Sequence, residues 1–255
     1  MTENKPVQSN KILVEARGLV PHAETSDMIL PPLDCQIPAG SITCLIGPFG
    51  IAKEAYLRAL ACIEVPAAGE LHLLGNACTY LSPEQWRELR QHAVYILRDA
   101  PLLSSYNAFL NVMLPALYHH LADHAQVEEK ARRLIQETGI QCDVSVLPAY
   151  LDEYQRRCLA ITRGLMLDPD VLFIDDTFRQ LEHEECQLMG NYLTHLVRDH
   201  GLAVVTSTFD LTLARKQADL IIFLTRKHIR CYDSWQAMLD SDDEEVHNFL
   251  SNAMN

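Results

Sequence analysis

The stretch GPFGIAKEA, positions 47–55, carries part of a phosphate-binding loop. Such a loop, GxxxxGK[ST], needs glycines so that consecutive backbone N–H groups can approach a phosphate. It also needs a lysine for the β- and γ-phosphates and a hydroxyl for Mg²⁺. Gly47, Gly50 and Lys53 supply the first two requirements. The candidate nucleotide-binding residues are Gly47, Pro48, Phe49, Gly50, Ile51, Ala52, Lys53, Glu54 and Ala55.

Three neighbours of the lysine differ from that pattern. Ala52 replaces the glycine before it, Glu54 replaces the metal-binding hydroxyl, and Ala55 removes the next one. A carboxylate about 4 Å from a phosphate charge costs on the order of 4 kcal/mol at an effective dielectric near 20. The loop therefore has two open interpretations: an ordinary strand-to-helix turn, or a site with weak residual nucleotide binding.

Alternating strands and helices must position this loop. The apolar runs predict strands at 12–20, 41–47, 93–97, 171–174, 202–207 and 219–224. Helical patterns are at about 52–62, from Pro83 onward, within 106–139, at 152–167, at 183–199 and in the acidic end 241–252. Ser82 with Gln85 forms a capping-box signature, and Gly139 is a helix stop. This order predicts one α/β domain with an inserted helical lobe.

Composition limits the function classes. The 255 residues are 48% hydrophobic, which is enough for a full core, and their formal charge of −13 argues against a nucleic-acid partner. Neither a signal-peptide h-region in the first residues nor an apolar run of about 18 residues is present in the sequence. The eight cysteines are scattered without a CxxC pair, so we expect reduced thiols in a cytosolic compartment.

Taken in order, the marked segments resemble the nucleotide-binding subunit of ABC transporters along nearly the whole chain. Besides the phosphate loop, they are LRDAPLLSSYNAFLNV (97–112) at the glutamine loop, LDEYQRRCLAITRGLMLDPDVLFIDDTF (151–178) at the LSGGQ stretch and Walker B strand, RQLE (179–182) at the D-loop and TSTFD (206–210) at the switch. Within the family, SDDEEVHNFL and the phenylalanine of DDTF look most like subunits of Mla-type and Mce-type lipid transporters.

The resemblance implies a fold and a domain layout. The fold is an α/β P-loop NTPase (RecA-like) core with an antiparallel β edge and an inserted helical subdomain. Residues 1–255 would form a single nucleotide-binding domain, with the helical subdomain at about 99–165 and an acidic tail helix at about 241–253.

At the catalytic positions of the family, this chain has different chemistry. Asp175 of Walker B is retained, but Asp176 replaces the glutamate that polarises the attacking water. Arg98 stands at the glutamine-loop position and cannot ligate Mg²⁺, because guanidinium is a permanent cation. Phe209 stands at the switch histidine and cannot hydrogen-bond a γ-phosphate. We therefore expect no functional catalytic residue.

The adenine-stacking position and the LSGGQ stretch also change. The aromatic ring should fall at His22 or Ala23, and only the histidine has one. The LSGGQ-equivalent residues are Asp152, Glu153, Tyr154 and Gln155. Two carboxylates there satisfy the helix dipole themselves, so an ordinary capped helix is the stronger interpretation. We expect the basic residues Arg156, Arg157 and Arg163 to pair with nearby acids.

Two functions remain open. The first is a degenerate subunit of an Mla-like lipid transporter with a structural or regulatory role; the alternative is a divergent but active ATPase in which Glu54 binds Mg²⁺. A remote third is a metal-binding module built on His183, Glu184, Glu185 and Cys186, or on His119 and His120. Six altered positions in one site favour the first, with at most weak ATP binding and neither Mg²⁺ nor another metal.

The first function carries expectations about partners and about Arg98. The subunit would be cytoplasmic, held on the inner face of the membrane by a transmembrane permease, and paired with itself or another nucleotide-binding subunit. Arg98 would lie among Glu54, Asp175 and Asp176 in place of the metal, because buried carboxylates need such a partner.

Overall fold

The computed structural model of the protein describes residues 11–23, 30–176 and 178–253. Its strands are β1 (Ile12–Val20), β2 (Leu33–Pro38), β3 (Ile42–Ile46), β4 (Ala68–Leu73), β5 (Asn76–Ala77), β6 (Ala93–Ile96), β7 (Val171–Ile174), β8 (Ala203–Ser207), β9 (Leu220–Leu224) and β10 (Ile229–Tyr232). Its α-helices are α1 (Lys53–Leu60), α2 (Pro83–His92), α3 (Ala108–Tyr118), α4 (His124–Thr138), α5 (Glu153–Leu165), α6 (His183–His200), α7 (Leu211–Gln217), α8 (Trp235–Leu239) and α9 (Glu244–Ala253). The first ten residues, for which no signal-peptide h-region was expected, lie outside the described residues, and so does Thr177.

The central sheet has the strand order β10-β9-β3-β8-β7-β6. Every neighbouring pair from β9 to β6 is parallel, and β10 joins β9 antiparallel. Strands β3, β7 and β8 are buried at every position, which is why their sequences ITCLI, VLFI and AVVTS are continuous apolar or small-residue runs. The carboxyl ends of these parallel strands meet at one edge, where the phosphate-type loop and the Walker B acids follow.

A second, antiparallel sheet has the order β2-β1-β4-β5. In β2, buried and exposed residues alternate, as expected where one sheet face packs on a core. Between this sheet and the central one lies a buried cluster that includes Leu19, Ile37, Tyr56 and Phe173. The predicted P-loop NTPase fold with an antiparallel β edge is confirmed.

Helices α3, α4 and α5 pack on one another. The helical pattern predicted within 106–139 is interrupted between α3 and α4. His120 takes a left-handed conformation with φ +52, and Asp123 then caps α4 through a capping box with Gln126. The strands β2, β4, β5 and β10 and the helices α7 and α8 were not predicted. Most of them are short, whereas β2 was missed although its buried and exposed residues alternate.

Several local predictions are confirmed. Ser82 and Gln85 form the capping box of α2, and Gly139 ends α4 in a left-handed conformation. The acidic end contains α9, which begins at Glu244 rather than near 241. No helix of the described chain is long and apolar enough to cross a bilayer.

Candidate nucleotide site

The loop between β3 and α1 requires glycine at its first position. A Cβ on Gly47 would lie 2.3 Å from the carbonyl oxygen of Leu224, so any side chain there would force the loop away from β9. Gly50 has φ +76, in the region that glycine adopts without strain. Ala52 precedes α1 without a side-chain cap. Backbone geometry therefore accounts for both retained glycines without any ligand.

Lys53 is engaged by the protein itself. Its side-chain Nζ donates to the carbonyl oxygens of Gly47 at 2.9 Å and Pro48 at 3.4 Å. The same Nζ lies 3.6 Å from the ring centroid of Phe209, a cation–π contact. Only 3% of Lys53 is exposed, and this burial lowers its pKa to about 8. The lysine that would contact phosphates is thus covered.

Phe49 and Phe209 form the cover. Their rings stack with centroids 4.5 Å apart and an interplanar angle of 13°. Phe49 is 82% exposed and Phe209 43% exposed, so the stack stands at the surface of the loop. The sequence signals were two aromatic residues, one inside the loop and one at the switch, and their stacking was not predicted.

Arg98 lies among three carboxylates. Its Nη2 is 2.7 Å from Oε2 of Glu54, and its Nε is 3.4 Å from Oδ2 of Asp175 and 3.9 Å from Oδ2 of Asp176. Burial lowers the pKa of Arg98, but the three negative charges outweigh it and hold the pKa above its ordinary value. The prediction that Arg98 occupies this position is confirmed.

The two Walker B aspartates are held by the next strand. Ser207 donates its hydroxyl to Oδ1 of Asp175 at 2.8 Å and accepts the backbone N–H of Asp176 at 3.1 Å. Burial raises the pKa of both aspartates, and Ser207 and Arg98 only partly oppose that rise at Asp175. Asp176 also has a left-handed backbone, with φ +48. Ser207 is a site residue that sequence reasoning missed.

Glu54 bridges two arginines at the surface of the site. Arg98 holds one carboxylate oxygen, and Nη1 of Arg58 lies 3.6 Å from the other. Arg58 also pairs with Glu64. Glu54 therefore faces cations on both sides, in the position where the pattern places a hydroxyl.

The LSGGQ-equivalent segment is a capped helix start. The Asp152 carboxylate accepts the backbone N–H of Gln155 at 2.7 Å, and the side-chain oxygen of Gln155 accepts the backbone N–H of Asp152 at 3.1 Å. The two residues thus form a capping box for α5. Glu153 pairs with Arg156 at 2.8 Å and with Arg157 at 2.9 Å. The helix start thus carries its own anions, and its first acids have intramolecular partners.

Arg157 connects this helix start to Walker B. It is 4% exposed, and its Nη1 donates to the carbonyl oxygen of Asp176 at 3.2 Å. Arg163 differs from its prediction: it makes no ion pair within the described residues, and burial lowers its pKa. Tyr154 is half-buried, packs against the core beneath the lobe, and has a pKa raised by burial.

Two hollows adjoin the loop. A small one of about 210 Å³ is lined by Gly50, Ile51, Ala52, Lys53, Glu54, Arg98, Asp176, Ser207 and Phe209. An open cleft of about 1020 Å³ lies on the other side of the aromatic stack and reaches α9. Ala55 is buried in α1, whereas His22 and Ala23 are exposed. The covering stack stands between the small hollow and the cleft.

The residues of the remote metal-binding alternative have ordinary local surroundings. Nε2 of His183 is 2.8 Å from the side-chain amide nitrogen of Gln187 on the same helix. His119 packs edge-on against Tyr118, and Cys186 is buried.

Residues 30–179, more than half of the chain, match the family described as ABC transporter. The chain belongs to the ABC transporter family. The chain corresponds to the ATP-binding domain, or cassette, of such transporters, and the matched residues include the loop between β3 and α1, helix α5 and strand β7.

Named relatives are ATP-binding proteins of transporters. The cassette is 23% identical over 94% of its length to the "Probable ribonucleotide transport ATP-binding protein mkl" of Mycobacterium leprae, of which it spans 69%. It is 27% identical over 80% of its length to the "Methionine import ATP-binding protein MetN" of Francisella tularensis, of which it spans 58%. The chain therefore represents only part of the length of these relatives.

Among solved structures, the cassette superposes on the dimeric ATP-binding cassette MJ0796 bound to ADP and Pi. The TM-score is 0.77 at 20% identity, covering 86% of this chain and 98% of that chain. At this identity the likeness shows the fold, which is that of an ABC cassette.

Proposed function

We propose that this cassette is a degenerate ABC subunit with a structural or regulatory role, whose nucleotide site is closed by its own side chains. The observation that carries the proposal is Arg98, which lies within 4 Å of Glu54, Asp175 and Asp176. In an active cassette, the corresponding region holds Mg²⁺ between neutral and acidic ligands. Here a side-chain cation occupies it.

Mg²⁺ and ATP do not fit the arrangement of these residues. A bound Mg²⁺ would have to displace Arg98, which pairs with all three acids. A phosphate would have to displace Phe209 from Lys53 and then approach the carboxylate of Glu54, at a cost on the order of 4 kcal/mol. Because Arg98 excludes the metal while Phe209 and Glu54 hinder the phosphate, we expect ATP affinity to be weak and independent of Mg²⁺.

Equilibrium binding of ATP by the purified chain, with and without Mg²⁺, tests this proposal. We expect no Mg²⁺-dependent binding by the wild type. We expect undetectable hydrolysis by the wild type and by Glu54→Ser, because Phe209 and Asp176 remain and catalytic residues act as a unit. In the same assay, Arg98→Gln removes the cation that contacts the aspartates. Arg58→Gln is its matched control, since both arginines contact Glu54 but, among the described residues, Arg98 alone of the two contacts the aspartates.

The alternative is an active ATPase in which Glu54 binds Mg²⁺ directly. What favours it is the retained set of Gly47, Lys53 and Asp175 and the hydrogen bond that Ser207 gives Asp175. Steady turnover by the wild type that Lys53→Ala abolishes would establish the alternative and refute the closed site.

Assembly follows from how the family shares its sites. Each ATP lies between the phosphate loop of one subunit and the LSGGQ segment of the other. If this chain pairs with itself, both sites join the altered loop to Asp152, Glu153 and Tyr154; with an intact partner, each site contains one altered half. No pairing then contains a complete site.

The cassette would therefore brace a transporter rather than close it on ATP. We expect it to lie on the cytoplasmic face of the membrane, with a permease coupling helix between the sheet core and the helical lobe near 99–140. Cross-linking across 152–154 in the presence of the permease tests this: closure that depends on Mg²⁺ and ATP would contradict the proposal.

The cargo is proposed as lipid, because the stretch SDDEEVHNFL and Phe178 resemble Mla-type subunits. The relatives named for ribonucleotide and methionine transport offer different cargoes. Co-purification of the chain with its permease, followed by mass spectrometry, distinguishes a lipid-transport permease from a solute importer.

A further inference from the structure

A cluster of side chains outside the nucleotide-type site joins the end of α4 to the end of α6. Glu137 lies in the last turn of α4, and His195 and His200 lie in the last two turns of α6. One ligand atom from each of the three residues lies within 4.8 Å of the others. We propose that these residues form a Zn²⁺ site that ties the helical lobe to the core.

The contact between His200 and Glu137 has a length that suits two ligands of one metal. Nε2 of His200 is 3.3 Å from Oε2 of Glu137. Two ligands at about 2.0–2.2 Å from a tetrahedral zinc lie roughly 3.3–3.6 Å apart. Although this oxygen is buried, it receives no hydrogen bond within the described structure, so the contact with His200 leaves its lone pairs available.

His195 has the support typical of a metal ligand. Its Nδ1 contacts the carboxylate of Asp199, one turn further along α6. A ligating histidine usually gives its other ring nitrogen to such a carboxylate, which fixes the ring and leaves Nε2 for the metal. The rings of His195 and His200 meet edge to face at 5.4 Å, so both lie at the same point of the surface.

The donor set indicates the metal. Two imidazoles and one carboxylate are borderline ligands that suit Zn²⁺, and three protein ligands leave the fourth position to water. The competing charge is Arg133, whose Nε lies 3.9 Å from the other oxygen of Glu137. Because Arg133 contacts Oε1 only at that distance, it does not compete with a metal for Oε2 of Glu137.

Binding would connect two helices that belong to different parts of the fold. Glu137 belongs to a helix packed on α3 and α5, whereas both histidines belong to the helix that follows Walker B. A bound zinc would fix the position of α4 relative to α6. This consequence rests on the proposed bracing role, but the metal site itself does not.

Calorimetric titration of the EDTA-treated, dialysed full chain with Zn²⁺ tests the site. We expect one equivalent to bind, with a rise in the unfolding temperature. His195→Ala, His200→Ala and Glu137→Gln should each weaken binding by at least tenfold, and Asp199→Asn by about 10–100-fold. With Co²⁺ in place of Zn²⁺, the absorption spectrum should lack a thiolate charge-transfer band.

Two control variants separate this site from other ligands. His183→Ala changes an exposed histidine at the other end of α6, and Cys231→Ser removes an exposed thiol; both should bind Zn²⁺ like the wild type. Unfolding of all variants in EDTA checks that each one folds. Absence of stoichiometric binding, wild-type affinity in His195→Ala, or loss of binding in Cys231→Ser would overturn the proposal, whatever the outcome for ATP.

Discussion

The central sheet and the loops at its carboxyl edge differ in what holds them. Phe173 in β7 is fully buried in an apolar cluster, whereas Asp175 and Asp176, just beyond the same strand, depend on Arg98 and Ser207. The sheet is stabilised by non-directional burial, and the edge by a few specific pairs. The central sheet can therefore stay folded while the side chains in the loops at its carboxyl edge change their partners.

The largest loss of stability is expected in the central sheet. Phe173→Ala should lower the free energy of unfolding by about 3–5 kcal/mol, because it leaves a cavity among fully buried side chains. Phe49→Ala, which removes an 82% exposed phenylalanine of the edge, should cost no more than about 1 kcal/mol. Urea unfolding of both variants measures the two losses of stability. Equal losses would contradict the difference proposed between the central sheet and the loops at its edge.

Lys53 should give a pH-dependent difference. Its pKa is about 8 in the folded chain against an ordinary 10.5, so between these values the unfolded state binds more protons. The stability of the wild type relative to Lys53→Met should therefore rise by about 1–3 kcal/mol as the pH rises through that window. Lys216→Met, at an exposed lysine, is the control. A flat difference would show that Lys53 is not held under Phe209.

Arg98→Gln should lower stability by about 1–2 kcal/mol at neutral pH, less than for a fully buried pair because the side chain is 34% exposed. Burial already raises the pKa of Asp175 and Asp176, and loss of the arginine raises it further. Since protonation removes the unpaired charge, the gap from wild type should narrow as the pH falls from 7 toward 5.

Denaturant titrations at several pH values measure that gap. Arg58→Gln should show a smaller loss of stability without this trend, since within the described part of the chain Arg58 pairs with Glu54 and Glu64 and not with the aspartates. A gap that stays constant from pH 7 to 5 would contradict the role given to Arg98.

The smallest effect is expected at the start of α5. Asp152→Ala should cost about 1 kcal/mol through loss of the cap, whereas Asp152→Asn should keep most of the stability. Asp123→Ala, which removes the similar capping box of α4, should cost a comparable amount. Thermal unfolding measures all three. If Asp152→Ala stabilised the chain, the acid would serve something other than the cap.

Many strands and helices could be predicted because buried positions require apolar residues, which leave a regular pattern in the sequence. The run VLFI became β7 with the predicted bounds, and Ser82 with Gln85 formed the predicted capping box. The strand β4 was missed because only Leu71 and Leu73 of its six residues are buried, which is too short an alternation to mark a strand, and β5 has only two residues. The break between α3 and α4 was missed because the left-handed turn at His120 has no glycine to mark it.

For the site, the sequence determined which groups were absent: the hydroxyl at Glu54, the amide at Arg98 and the imidazole at Phe209. It also predicted that Arg98 would meet the acids, since opposite charges at one sheet edge pair when they are buried. Only the tertiary structure decided that Phe49 and Phe209 stack over Lys53, and that Glu137 meets His195 and His200. These contacts join residues distant along the chain, so they depend on how loops and helix ends are brought together, and local pattern carries no record of that.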